Sequence, residues 1–111
     1  MLINHGTWQG KQILKKNTVK QMFREGWRYN GSNGDNYHGL FRSWGLGIHR
    51  ITGMPDQDVI LRGSDTMYGH SGFAYGLLSN AYCYPVRKTG LIFITNGKAN
   101  GYIICENSSF Y

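Results

Sequence analysis

Five consecutive residues, Gly69-His-Ser-Gly-Phe73, place a hydroxyl beside an imidazole and are the first candidate for chemistry. The run approaches the pattern G-x-S-x-G, in which a nucleophilic serine sits on a sharp turn between a strand and a helix. Its fifth position is Phe73 instead of glycine, and the residues that follow have the pattern of a strand. The sequence therefore argues against Ser71 as the nucleophile of such a turn.

A second candidate is Lys88-Thr-Gly90, which matches the Lys-Thr-Gly box of penicillin-recognising enzymes. These residues fall within the polar hairpin that we expect from Pro85 to Gly90. In those enzymes the box is followed by a glycine-rich stretch, a strand, a hairpin with proline, and a buried strand that ends in Asn. His70-Ser71-Gly72 has that full sequel, which ends at Asn96. We therefore interpret it as the box and Lys88-Thr-Gly90 as an ordinary turn.

The other reactive side chains show no metal or cofactor pattern. Cys83 and Cys105 match no metal-ligand spacing, and they could form a disulfide or stay as thiols. The six acidic residues are scattered, which leaves no carboxylate pair. No two of the remaining histidines share a metal-ligand spacing, and they are His5, His38 and His49. We expect neither a metal nor a cofactor.

The net charge of +6 raises the possibility of an anionic partner, since six of the 12 Lys and Arg residues lie within residues 11–28. Four of them recur every fourth residue, which predicts one helix face: Lys16, Lys20, Arg24 and Arg28. This Lys16–Arg28 face could contact nucleic acid as a non-catalytic binding module, with Trp27 and Tyr29 to stack on bases. The simpler interpretation, a solvated helix face, is favoured because no nucleic-acid motif accompanies it.

The chain has 111 residues with 16 glycines, 41% hydrophobic residues and 14% aromatic residues. This length allows one domain with a core of its own. A capping box at Thr18-x-x-Gln21, together with the apolar repeat of Val19, Met22 and Phe23, predicts a helix that ends at Gly26. Residues Met1–His5 resemble the last turn of another helix. No apolar stretch is long enough to span a membrane, and residues 1–6 lack the pattern of a signal peptide.

Strand patterns dominate the rest of the sequence. Residues 30–39 form a polar surface loop, and Trp44–Ile51 alternates as a strand does, before a break at Met54–Asp58. Leu91–Thr95 is apolar on both faces, which predicts a central strand covered on both sides, and Tyr102–Cys105 is one more short apolar run. The fold class we predict is α+β, with an antiparallel sheet and one or two flanking helices.

The order of these motifs resembles the serine β-lactamase-like hydrolases, in the branch of class C β-lactamases, D-Ala-D-Ala carboxypeptidases and esterases. In that branch His-x-Gly often replaces Lys-Thr-Gly, as in His70-Ser71-Gly72. Trp44-Gly-Leu-Gly47 is similar to the family's Tyr-Gly-Leu-Gly strand. Residues 2–22 are similar to the helix, turn and helix that precede the box in that family. The resemblance covers about residues 2–97 and implies a β-lactamase/transpeptidase-like fold.

The resemblance also implies roles for the His-Ser-Gly wall. His70 would supply a hydrogen-bond donor or a positive charge, and Ser71 would donate to the substrate's carboxylate or carbonyl. Gly72 would let the substrate backbone approach closely, because it has no Cβ. The Phe73 N–H would be one of two donors in an oxyanion hole. The substrates implied are β-lactams, D-amino-acid peptides or esters.

The chain departs from the family in one decisive respect. No S-x-x-K, Tyr-x-Asn or Ser-x-Asn occurs, so the nucleophile and its bases are absent. We therefore expect residues 1–111 to be a single partial domain, the C-terminal portion of such a hydrolase, inactive alone. The expected partner is the missing N-terminal portion or a second copy. The complete family member would be periplasmic or secreted.

Overall fold

A computed structural model describes residues 1–53, Asp58 and residues 65–96. These residues form a two-stranded ribbon, a six-stranded antiparallel sheet and one α-helix. In chain order the elements are a 3-10 helix (Leu2–Asn4), β1 (Thr7–Trp8), β2 (Lys11–Gln12), α1 (Lys16–Phe23), β3 (Trp27–Arg28), β4 (Ser43–Trp44), β5 (His49–Ile51), β6 (Met67–Ala74), β7 (Leu77–Tyr84) and β8 (Thr89–Thr95). The prediction of an α+β chain with an antiparallel sheet is confirmed.

The large sheet follows the order of the sequence, from β3 to β8, and each strand pairs with the next. β6 and β7 pair from Tyr68↔Cys83 to Ala74↔Leu77, so their register is fixed along seven residue pairs. The turn between them consists of Tyr75 and Gly76, which both have positive φ, 51° and 81°. Positive φ at both central residues is the geometry that best matches the twist of a two-residue hairpin.

The core lies on one face of this sheet. Ile51 and Met67 are paired across β5 and β6, and they form a buried cluster with Tyr82 and Tyr84 of β7. Directly opposed residues of antiparallel strands share a face, which explains why these side chains meet. Val19 of the helix is also buried, with an exposed fraction of 1%, but it is not part of this cluster. The register of β5, β6 and β7 is therefore held by packing as well as by hydrogen bonds.

Helix α1 begins and ends earlier than the sequence predicts. It starts at Lys16 after an N-cap at Lys15, without a side-chain cap, so the capping box at Thr18 is wrong. It ends at Phe23 because Arg24 is extended, with φ −63° and ψ 136°. The Leu46 N–H donates to the Met22 carbonyl at 3.0 Å. This tertiary bond satisfies the helix end without the glycine stop that we expected.

The segment from Trp44 to Ile51 is a hairpin of β4 and β5, so the prediction of one alternating strand is wrong. The Gly45 N–H donates to the Ile48 carbonyl at 2.8 Å, which closes the turn. Gly47 lies in that turn with φ 63°, a conformation that glycine adopts without strain. A Cβ on Gly45 would lie 2.1 Å from the Met22 carbonyl oxygen, so helix and hairpin meet there.

The prediction of a covered central strand at Leu91–Thr95 is also wrong for the described part of the chain. β8 is the last strand in the sheet order, and Ile92 and Ile94 are 75% and 64% exposed. The first residues form a single 3-10 turn instead of the end of an α-helix. Most of the predicted break at Met54–Asp58 and the apolar run Tyr102–Cys105 lie outside the described residues.

Candidate functional site

Strand β6 carries all four residues of the predicted wall, His70, Ser71, Gly72 and Phe73. A strand follows Ser71 up to Ala74, as expected, and no helix does. Lys88 lies in the turn after β7, but Thr89 and Gly90 belong to β8, so the turn interpretation of Lys88-Thr-Gly90 is correct for Lys88 only.

The far half of β6 has an open backbone edge within the described residues. β5 pairs only with Met67–Gly69, whereas β7 pairs as far as Ala74. Among residues 1–53, 58 and 65–96, residues 70–74 therefore have a strand partner on one side only. Backbone groups in an antiparallel strand alternate between its two sides, so part of this stretch can bind an extended ligand.

His70 is oriented by its own strand and by one aromatic side chain. Its Nδ1 lies 2.5 Å from the Ser71 carbonyl oxygen. A carbonyl only accepts, so Nδ1 carries the proton and donates, which leaves Nε2 for another partner. The imidazole and the Trp44 ring pack in an edge-to-face arrangement, with ring centroids 5.3 Å apart and planes inclined at 66°.

Two open cavities meet at His70. The first has a volume of about 420 Å³ and is lined by Trp27, Asp35, Tyr37, Phe41, Trp44 and His70. The second, of about 350 Å³, lies over β6, β7 and β8 and is lined by His70, Ser71, Gly72, Ser79, Asn80, Ala81, Ile92 and Ile94. His70 can therefore contact a ligand in either cavity.

A buried polar chain behind β6 was not predicted from the sequence. The Tyr82 hydroxyl lies 2.7 Å from Nδ1 of His49, and burial raises the pKa of Tyr82 to about 12, while a hydrogen bond with Ser71 opposes that rise. Burial also lowers the pKa of His49 to about 4. Ser71 is thus linked through Tyr82 to a buried imidazole. The His49↔Gly69 and Gly69↔Tyr82 pairings bring these residues together, and no local motif indicates them.

Gly72 and Gly69 differ in the space that each position has for a side chain. A Cβ on Gly72 would lie 2.7 Å from the Ser79 hydroxyl, a side-chain atom that can rotate away. A Cβ on Gly69 would lie 1.9 Å from the backbone oxygen of Ala81. Gly69 is therefore required by the pairing of β6 with β7, while Gly72 leaves space above the strand.

The Lys16–Arg28 face is not one helix face, and that prediction is wrong. Only Lys16 and Lys20 lie within α1, while Arg24 caps it and Arg28 lies on β3. Arg28 donates to Glu25 through Nε and Nη2 at 2.9 and 2.8 Å. Trp27 and Tyr29 have ring centroids 6.2 Å apart, inclined at 43°, which is not a flat stacking platform.

Glu25 anchors a polar cluster where β3, β4 and β5 meet. Besides Arg28, it accepts from the Ser43 hydroxyl at 2.6 Å and from Nη1 of Arg50 at 2.5 Å. Hydrogen bonds from Arg28, followed by those from Ser43 and the charges of Arg28 and Arg50, lower the pKa of Glu25 to about 2. This cluster pairs Arg28, one of the four residues that the sequence offered to an anionic partner, with a carboxylate.

Among residues 1–53, 58 and 65–96, no group of three or more His, Cys, Asp or Glu side chains is placed to hold a metal ion. His5 and His38 are exposed. Burial raises the pKa of the Cys83 thiol, and Cys105 lies outside the described residues. The same part of the chain contains no helix that could span a membrane.

Comparison with known families, curated proteins and solved structures finds no significant match to this chain.

Proposed function

We propose that this chain forms one wall of the active site of a serine β-lactamase-related hydrolase, which acts by acyl transfer on β-lactams, D-amino-acid peptides or esters. The observation that carries the proposal is the run His70–Phe73, in which His70 lines two cavities and Ser71 and Gly72 line the second. The resemblance of the motif order adds the reaction class. In this proposal the fold is a portion of the β-lactamase/transpeptidase-like fold.

Each wall residue has a chemical task in the proposal. Nε2 of His70 faces the substrate, because Nδ1 is engaged by the Ser71 carbonyl. To donate to the substrate's carboxylate or carbonyl, the Ser71 hydroxyl exchanges its hydrogen bond with Tyr82 for one to the substrate, and the space above Gly72 admits the substrate backbone. The Phe73 N–H stabilises the developing oxyanion, a contribution worth about 3 kcal/mol for one such donor.

The wall cannot complete the reaction by itself. Acyl transfer needs a nucleophile and a base that takes its proton, and S-x-x-K, Tyr-x-Asn and Ser-x-Asn are all absent from these 111 residues. In the proposal a partner segment supplies them from the opposite side of the substrate. The chain alone is then expected to bind substrate without transforming it.

Non-covalent binding of benzylpenicillin, followed by backbone amide NMR shifts, tests this proposal. We expect the shifts to concentrate on residues 70–74 and on the paired part of β7. His70→Asn and Ser71→Ala should each weaken binding by about tenfold or more, since hydrogen bonds to a charged group contribute about 1.5–3 kcal/mol.

The matched control is His5→Asn, which removes an exposed histidine outside both cavities at a position with φ 52° that asparagine tolerates. Its affinity for benzylpenicillin should equal that of the unmodified chain. Shifts that avoid β6, or binding that survives His70→Asn and Ser71→Ala unchanged, would refute the proposal.

A further inference from the structure

The first cavity at His70, here named the aromatic cavity, has an unusual lining. Four of its six lining residues are aromatic: Trp27, Tyr37, Phe41 and Trp44. The other two are Asp35 and His70. Its volume of about 420 Å³ lies within the usual range for small-molecule sites.

The rings stand at steep angles to one another instead of forming a flat stack. Tyr37 and Phe41 have centroids 5.2 Å apart and planes inclined at 73°, and Phe41 meets Trp44 at 5.0 Å and 63°. Trp27 is paired directly with Trp44 across β3 and β4. These edge-to-face contacts hold the rings that line the open cavity in fixed orientations. The negative faces of aromatic rings attract cations.

The only carboxylate in the lining is Asp35, and it is held in place. Its Oδ1 accepts a hydrogen bond from the backbone N–H of Tyr37 at 2.7 Å, which holds the carboxylate close to the Tyr37 backbone. Asp35 forms no ion pair with another described residue, whereas Glu25 is already paired with Arg28 and Arg50. No Lys or Arg is among the residues that line the cavity.

We propose that the aromatic cavity binds an organic ammonium group, either quaternary or a protonated amine on an apolar carbon. Ring faces and one carboxylate are the combination that recognises such groups, while an anion would be repelled by Asp35. This inference goes beyond the proposed hydrolase and does not depend on it.

Titration with tetramethylammonium chloride at pH 8 and 0.15 M salt tests the inference. At this ionic strength, charges farther than about 8 Å are largely screened, so the net charge of +6 matters little. Neopentyl alcohol is the neutral probe of similar shape. We expect the indole N–H signals of Trp27 and Trp44 to shift with the cation and that of Trp8, outside the cavity, to stay unchanged. Equal binding of both probes would overturn the inference.

Two variants separate the charge from the rings. Asp35→Asn keeps an acceptor for the Tyr37 N–H and removes the charge, and Tyr37→Leu keeps apolar bulk and removes a ring face. Each should weaken tetramethylammonium binding by about three- to thirtyfold, the range expected for cation–π and carboxylate contacts. Tyr75→Leu is the matched control, because Tyr75 is also an exposed tyrosine with φ 51°.

The outcomes distinguish the two proposals. Absence of benzylpenicillin binding to the unmodified chain together with selective tetramethylammonium binding supports only the ammonium site. Selective binding of the cation that survives Asp35→Asn and Tyr37→Leu unchanged would overturn the ammonium site and leave the proposed hydrolase wall untouched. The indole spectrum of each variant in the absence of ligand shows whether it has folded.

Discussion

At the scale of single residues, burial determines the chemistry of His49. Its ring is fully buried between Phe41 and Trp44, its Nδ1 contacts the Tyr82 hydroxyl, and its pKa is lowered to about 4. Because an unfolded histidine titrates near 6.5, the unfolded state takes up a proton first as the pH falls. The stability that His49 contributes is therefore complete above pH 6.5 and is lost as the pH falls through 4.

We expect the free energy of unfolding to decrease from pH 6.5 to pH 4, with a slope of at most about 1.4 kcal/mol per pH unit from this group. Urea unfolding at several pH values measures it. In His49→Gln the free energy of unfolding should depend less on pH between 6.5 and 4. Glu25→Gln should instead reduce the pH dependence of the free energy of unfolding between pH 4.5 and pH 2, because the pKa of Glu25 in the folded state is lowered to about 2. An unchanged slope in His49→Gln would contradict this assignment.

At the scale of elements, the pairing of β6 with β7 depends on Gly69. Gly69→Ala would place a Cβ 1.9 Å from the Ala81 oxygen, where only a backbone shift could make space. We expect it to destabilise the chain by about 1–3 kcal/mol or more, as overpacking of a fixed backbone does. The paired control is Gly72→Ala, whose Cβ meets only the rotatable Ser79 hydroxyl. It should fold normally and weaken benzylpenicillin binding; equal stability of both variants would contradict this account.

The elements also show where sequence reasoning succeeds and where it stops. Polar turn residues and alternation predict the loop at 30–39 and the strands around Pro85, because these signals are local. Trp44–Ile51 alternates equally well as one strand or as a hairpin, and the choice depends on the Leu46–Met22 hydrogen bond between distant segments. The motif picks out His70, but Asp35 belongs to a loop without periodicity. Its place in the aromatic cavity follows only from the fold.

At the scale of the whole molecule, the described residues form a sheet in which the proposed binding wall contains one hydroxyl, that of Ser71. The serine in that wall, Ser71, lies within a strand and shares a hydrogen bond with Tyr82, whose raised pKa of about 12 makes it a poor acceptor for the serine proton at neutral pH. His49 is the nearest imidazole in this chain of contacts, and it bonds Tyr82 rather than Ser71. A serine without a base in direct contact is a weak nucleophile.

We therefore expect the isolated chain to hydrolyse neither nitrocefin nor p-nitrophenyl esters, and to form no covalent adduct with a fluorescent penicillin, even where benzylpenicillin binds reversibly. Stopped assays with intact-mass spectrometry detect turnover and acylation separately. Ser71→Ala is the decisive control, because a wall residue affects binding alone whereas a nucleophile is needed for acylation. Turnover or an adduct that disappears in Ser71→Ala would make Ser71 the nucleophile and replace the proposed wall with a complete, unrelated acyl-transfer site.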